Sequence, residues 1–273
     1  MQESISYGQA LTSYLSRISP MLLLSILLVF IASFAITARA LVPIRKSWER
    51  QVQFTADASH ELRTPIAVIQ ANLEVVMDEP EQTVAKKQKW LNHIKAEADR
   101  MQKLIEDLLI LSRADEGQEN LEKSLFNLSE TLINTLESLI PYAQSKGIKL
   151  KTDIEADISF FGDKEQIKQL LVILVDNAIK HTPSGGEVLV KSQIQNRNLV
   201  IKVTDTGEGI AKEHLTKIFD RFYRINKARE RESGSSGLGL SIAKWIVEEH
   251  RGSIHVESKL GAGSTFTVVL PPK

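Results

Sequence analysis

The sequence predicts a multi-domain chain: one transmembrane helix, an α-helical hairpin that forms a dimeric four-helix bundle, then a two-layer α/β sandwich. Three observations carry that prediction. The run Ile18–Ala38 contains no charged residue and is dominated by Leu, Ile, Val, Phe and Ala. Two later stretches place apolar residues at alternating spacings of four and three, which draws one greasy stripe along each of two helices. Beyond residue 120 the pattern changes to short strands mixed with helices.

Composition removes several function classes. The 273 residues suffice for two modest domains and an appendage. Lys+Arg and Asp+Glu are both 34, so the formal net charge is zero and no basic excess points to direct nucleic-acid binding. Cysteine is absent, which excludes disulfides and thiolate metal sites and fits a reducing compartment.

Residues 1–17 read as a short extracytoplasmic N-terminus and 18–38 as the transmembrane helix. At about 1.5 Å per residue, that run just crosses a ~30 Å hydrocarbon core. Arg39, Arg45, Lys46 and Arg50 follow it, against Arg17 alone before it. The positive-inside rule then puts everything after Arg39 in the cytoplasm of a single-pass protein of the cell (inner or plasma) membrane, with lipid as a partner. Thr37-Ala-Arg-Ala40 loosely matches a signal-peptide cleavage site, but the apolar run is long and its positive charges lie after it. The connector 39–52 is too short for a separate relay domain, so the span is expected to run almost directly into the next helix. Residues 1–17 leave no room for a sensory domain; either the chain is a fragment of a longer receptor, or it senses through the bilayer or another membrane protein.

The hairpin is assigned to 53–115. Its first stripe is Leu62, Ile66, Ile69, Leu73 and Val76; Asp78-Glu-Pro-Glu81 breaks the helix. Its second is Trp90, Ile94, Met101, Leu104, Leu108 and Leu111, interrupted once by Glu97. Two antiparallel helices bury such faces poorly alone, and a homodimer solves the problem. His60 stands one turn before Pro65, whose missing N–H leaves the Glu61 carbonyl unpaired and should kink the helix. A neutral imidazole is a fair nucleophile, since its ordinary pKa is about 6.5. Glu61 is placed to take up the ring proton if its rotamer turns back, and Thr64, four residues on, to hold a water over the same face. The box is His-Glu-x-x-Thr, not His-Glu-x-x-His, which rules out a zinc protease. A lone histidine on an amphipathic helix is more often solvated or packed, so its reading depends on the motifs downstream in the chain.

Ala114–Asn120 is polar, contains Gly117 and reads as a hinge before a catalytic domain at 121–273. Strands are predicted at Ser124–Leu128, Lys149–Ile154, Glu187–Ile194, Leu199–Asp205, Ser253–Ser258 and Thr265–Leu270. Helices are predicted at Ser129–Ser145, Lys164–His181 and Leu238–His250. Four motifs lie among them. Asp176-Asn-Ala-Ile-Lys-His-Thr-Pro183 puts Asn177 and Lys180 on one helix face; an amide oxygen suits Mg²⁺ and an ammonium meets phosphate. Asp205-Thr-Gly-Glu-Gly-Ile210 follows a strand, where glycines permit close backbone approach and a carboxylate accepts from an exocyclic amine. Phe219-Asp-Arg-Phe222 opens a charged stretch to Ser233 that reads as a mobile lid, and Gly234-Ser-Ser-Gly-Leu-Gly-Leu240 leads into a helix whose N-terminus is an anion site. Each motif alone is more often a turn, a cap or a solvated face. No Walker A pattern is present.

Ser59-His-Glu-Leu-Arg-Thr-Pro65 closely resembles the phospho-accepting box of the sensor histidine kinases of two-component signalling. The four later motifs resemble the N, G1, F and G2 boxes of their ATP-binding domain, whose Bergerat (GHKL) fold is shared with gyrase, chaperone and mismatch-repair ATPases. The resemblance covers about Gln53–Pro271. It implies that His60 is the phospho-acceptor, Glu61 its acid/base partner, and Thr64 a residue that helps dephosphorylate a partner. It implies ATP and Mg²⁺ as cofactors, with Asn177 as metal ligand, Lys180 and Arg224 toward phosphate, and His181 at the end of the N box. Asp205 would hold adenine, Gly207 and Gly209 would shape the base pocket, and Ser236, Gly237, Leu238 and Gly239 the phosphate loop. The implied activity is ATP-dependent autophosphorylation of His60, then transfer to an aspartate of a response regulator supplied in trans. Three departures stand out: Ile173 where many members carry a further Asn, His181 where Tyr is frequent, and Ser235 where a second Gly is common. A non-phosphorylating nucleotide-binding scaffold and a Bergerat-fold hydrolase are the rival readings.

Overall fold

A computed structural model of the chain describes residues 2–78, 83–115, 121–226 and 235–271. It separates into two units, Met1–Asp57 and Ala58–Lys273. In the first, the Arg45 guanidinium meets Glu49 one turn on at 2.8 Å. The expected span 18–38 lies partly outside the residues whose side chains are described. Among the described residues no helix is long and apolar enough to cross a membrane. The described apolar side chains of this stretch are exposed, among them Val29, Phe30, Phe34 and Ile36.

Helix α1 is Gln2–Asp78 and α2 is Val84–Asp115. The helix is unbroken across Pro65, which is buried, and the expected kink does not interrupt it. The helix ends where Asp78-Glu-Pro-Glu81 was expected to break it; residues 79–82 lie outside the described residues. Lys87, near the start of α2, is buried and donates to the Val76 carbonyl at 2.6 Å, fixing α2 against the end of α1. Leu104 and Leu111 are buried, yet Ile66 and Leu73 stay 42% and 40% exposed. Two of the five α1 stripe residues thus stay exposed among the described residues.

The sandwich runs β1 (Lys123–Asn127), α3 (Leu128–Ser145), β2 (Lys149–Ile154), β3 (Ser159–Asp163), α4 (Lys164–His181), β4 (Glu187–Gln195), β5 (Asn198–Asp205), α5 (Gly239–Glu249), β6 (Ser253–Lys259) and β7 (Gly263–Leu270). Five strands form a mixed sheet in the order β2-β4-β5-β7-β6, in which only β2 and β4 are parallel. Strands β1 and β3 pair separately and antiparallel. The register aligns Val190, Val203, Phe266 and Val256 across four strands. Because side chains alternate along a strand, Asp205 shares the covered face of Val203, at the strand's end.

Helix α4 turns Ile167, Leu170, Leu171, Leu174 and Ala178 into that core. Asp163 caps it, its Oδ1 accepting from the Glu165 and Gln166 amides at 3.0 and 3.1 Å. Buried His250 then fastens the end of α5 to that cap. Its Nδ1–H donates to the Ile246 carbonyl at 2.8 Å and its Nε2 accepts from the Asp163 amide at 3.0 Å.

Candidate active site

Helix α4 has a second face. Gln169, Val172, Ile173, Asp176, Asn177 and Lys180 recur at helical spacing opposite the core stripe and line a cavity of about 890 Å³. The other wall is α2, with Arg100, Lys103, Leu104 and Asp107, together with Glu61 and Pro65 of α1. Asp205, Gly209, Arg224, Ser236, Gly237 and Gly239 also line it. The volume falls within the roughly 300–1,000 Å³ of small-molecule sites.

Asp205 is 5% exposed, and the amides of Gly207 and Ser264 donate to it at 2.8 and 3.2 Å. Both bonds land on Oδ1, so Oδ2 is left for the cavity. Burial pushes this carboxyl above its ordinary value, and the two amides draw it back. The glycines after it are there for space. A Cβ on Gly207 would meet the His181 carbonyl, and one on Gly209, at φ +71°, the Lys259 carbonyl.

Lys180 is paired with Asp176 at 2.8 Å. Burial raises the Tyr142 hydroxyl above its ordinary value, helped by the Asp176 carboxylate to which it hydrogen bonds. Asn177 and His181 line the same wall. Leu238 is fully buried behind the loop, and its amide donates to the Ser236 hydroxyl at 3.3 Å.

Two arginines join the sandwich to the hairpin. Arg224 grips Glu61 through both guanidinium nitrogens at 2.8 and 3.2 Å, with the side chains 4% and 19% exposed. Arg221 holds Asp115 with two bonds of 2.7 Å. The Arg224 Nε is buried and has no hydrogen-bond partner among the described residues. His60 is exposed and does not line the cavity, and Thr64, also exposed, donates back to the His60 carbonyl at 3.5 Å. The structure therefore gathers Glu61, Asn177, Lys180, His181, Asp205, Gly209, Arg224, Ser236, Gly237 and Gly239 at one cavity and leaves His60, Thr64, Gly207 and Leu238 out of its lining.

Residues 50–117 match the family model of the His Kinase A (phospho-acceptor) domain, and residues 162–273 that of the histidine kinase-, DNA gyrase B- and HSP90-like ATPases. The sensor histidine kinase RppB of a Synechocystis species is 37% identical over 245 residues, 89% of this chain and 54% of that protein. The chain belongs to the sensor histidine kinases. Another relative in this family, the signal transduction histidine-protein kinase ArlS of Staphylococcus haemolyticus, is 37% identical over 229 residues, 83% of this chain and 50% of its own. The chain thus spans about half the length of the curated relatives it matches. Among solved structures, the histidine kinase AdeS of Acinetobacter baumannii superposes with a TM-score of 0.64 at 26% identity, covering 78% of this chain and 98% of that one. The histidine kinase ThkA in complex with the response regulator TrrA gives 0.65 at 26% identity, covering 81% and 61%.

The site fits what a kinase of this family would hold. The orphaned Arg224 Nε asks for an acceptor, and at Gly209 and Gly237 an added Cβ would press on the backbone of Lys259 and Phe222, so the loops beside the cavity keep their shape only with glycine. Among the described residues no three His, Cys, Asp or Glu side chains cluster closely enough to hold a metal by themselves. The Asn177 side-chain amide lines the cavity and could offer an oxygen to a hard cation. Sequence reasoning missed Asp107, Tyr142 and Asp115. Asp107 lies beside an apolar seam and reads as a solvated charge, and nothing in the sequence says that α2 faces the loop around Ser236.

Proposed function

We propose that the chain autophosphorylates His60 from Mg-ATP and passes the phosphoryl group to an aspartate of a response regulator. The observation that carries this is the two-walled cavity. Glu61, next in sequence to His60, forms one wall, while Asn177, Lys180, Asp205 and the glycine loop form the other.

The roles follow from the donor set. Asp205 Oδ2 accepts from the adenine amine, and its Oδ1 stays held by two amides. Lys180 and the Arg224 Nε meet phosphate oxygens, and the Gly237–Gly239 backbone supplies N–H donors at the start of α5. Asn177 would hold a magnesium ion, which when bound would supply charge neutralisation beside the phosphates. A ring nitrogen of His60 forms the new P–N bond as the γ-phosphorus to oxygen bond breaks; ADP departs and the ring proton goes to Glu61. Glu61 is gripped by Arg224 and His60 stands outside the cavity, so loading the ring requires the hairpin and the sandwich to re-seat. Exchanging the Arg224 grip from Glu61 to phosphate frees the base as the substrate arrives.

Exposed Ile66 and Leu73 support a second copy packing on the hairpin. The exposed apolar side chains between Leu22 and Ile36 support a membrane anchor with the catalytic parts in the cytoplasm. ThkA, crystallised with its response regulator, supports such a partner here. Thr64, exposed one turn after His60, is assigned to partner dephosphorylation. Incubation with γ-labelled ATP tests the whole: acid-labile, base-stable label is expected, and none in His60→Gln. Bound ATP with no label in the unaltered protein would favour a scaffold, and rapid phosphate release without label a hydrolase.

A further inference from the structure

Asp107 has no part in the reaction derived above. It lies on α2, 8% exposed, and it faces the cavity rather than the apolar seam. The Ser236 hydroxyl donates to its Oδ2 at 3.4 Å while accepting from the Leu238 amide at 3.3 Å. Leu238 immediately precedes α5, whose N-cap position makes no side-chain capping bond. Carboxylate, hydroxyl and helix start are therefore strung together where an anion is favoured. Lys180 lines the same cavity.

We propose that Asp107 stands in for a phosphate beside the glycine loop and thereby opposes binding of the nucleoside triphosphate. This rests on the nucleotide reading above and names the hairpin residue that sets how strongly phosphate charge is taken up.

Among the described residues, four groups act on Asp107. Lys103 and Glu106 share its helix, Lys180 comes from α4, and Ser236 from the loop. Burial pushes its carboxyl up to about 6, against the pull of Lys103, the Ser236 hydroxyl and Lys180. At neutral pH it is mostly ionised, so a triphosphate drawn to Lys180 and the loop meets a like charge in a poorly solvated space. The coupling runs both ways: phosphate at the loop weakens the Asp107–Ser236 link by the factor that the link weakens phosphate. Nucleotide would then loosen one of the ties that hold the sandwich on the hairpin.

The test is Asp107→Asn in the full chain, which keeps the volume and an acceptor for Ser236 but removes the charge. Affinities for ATP, ADP and adenosine are measured by calorimetry, with thermal melting to confirm folding. ATP should bind on the order of tenfold tighter to the variant, ADP less so, and adenosine unchanged. Asp107→Glu, which keeps the charge, should retain the weaker ATP binding. A variant that binds ATP no better, or all three ligands better by one factor, overturns the proposal while leaving the nucleotide reading intact. Absence of ATP binding in both proteins sinks that reading and this proposal together.

Discussion

Replacing Asp205 by asparagine separates binding from folding. Both backbone amides that hold this side chain donate to Oδ1, at 2.8 and 3.2 Å. An asparagine placed with its carbonyl oxygen there keeps both bonds and sets an NH₂ group where Oδ2 was. That group would face the amine of adenine, donor against donor. A hydrogen bond to a charged partner is worth about 1.5–3 kcal/mol, so ATP should bind roughly 10- to 100-fold more weakly. Stability should move the other way. The folded protein holds this carboxyl above its ordinary value because of burial, so the proton is bound more tightly in the folded than in the unfolded chain. Ionisation at neutral pH therefore costs the fold free energy, and a neutral amide removes that cost. We expect calorimetric ATP affinity to collapse while the nucleotide-free melting temperature holds or rises. An Asp205→Asn protein that binds ATP normally, or that melts well below the unaltered chain, would refute the reasoning.

Three further outcomes are expected. Glu61→Gln and Arg224→Met, alone and together, should show a coupling of about 1–3 kcal/mol in denaturant unfolding; additive losses would mean that the bidentate pair is not an energetic tie. Gly209→Ala forces a left-handed residue and presses a Cβ on the Lys259 carbonyl, costing about 1–2 kcal/mol from the backbone alone, and should lower both the melting temperature and ATP affinity. Burial lowers His250 below its ordinary value, while the Asp163 amide needs Nε2 free to accept. The unfolded chain therefore takes the proton first, and melting temperature should fall as pH drops below about 6.5, less steeply in His250→Gln.

Much of this molecule is legible in the sequence where periodicity alone decides. Helix α4 has its expected ends because Thr182-Pro183 closes it and its apolar residues keep a helical period. Strands β2, β4 and β5 match expectation to within a residue at either end. Strand β3 was missed: Ser159–Asp163 is short, carries a glycine, and exists as a strand only because β1 pairs with it. The cavity's sandwich wall is legible because Asp205, its glycines and the Asn177–Lys180 pair sit in local motifs. The hairpin wall is not. Glu61 and Arg224 are 163 positions apart, and Asp107 and Ser236 are 129 apart. Asp107 looks like an ordinary surface charge until the fold brings its partner. Glu61 is expected from sequence as a base and Arg224 as a charge neutraliser; that they hold each other is visible only in the fold.

The two-walled cavity has a pharmacological corollary. Because one wall belongs to the helical stalk and the other to the sandwich, a compound that spans the gap would glue the two together instead of merely displacing substrate. Such a molecule would freeze the approach to the histidine, and its potency would depend on hairpin residues that an ATP mimic never touches.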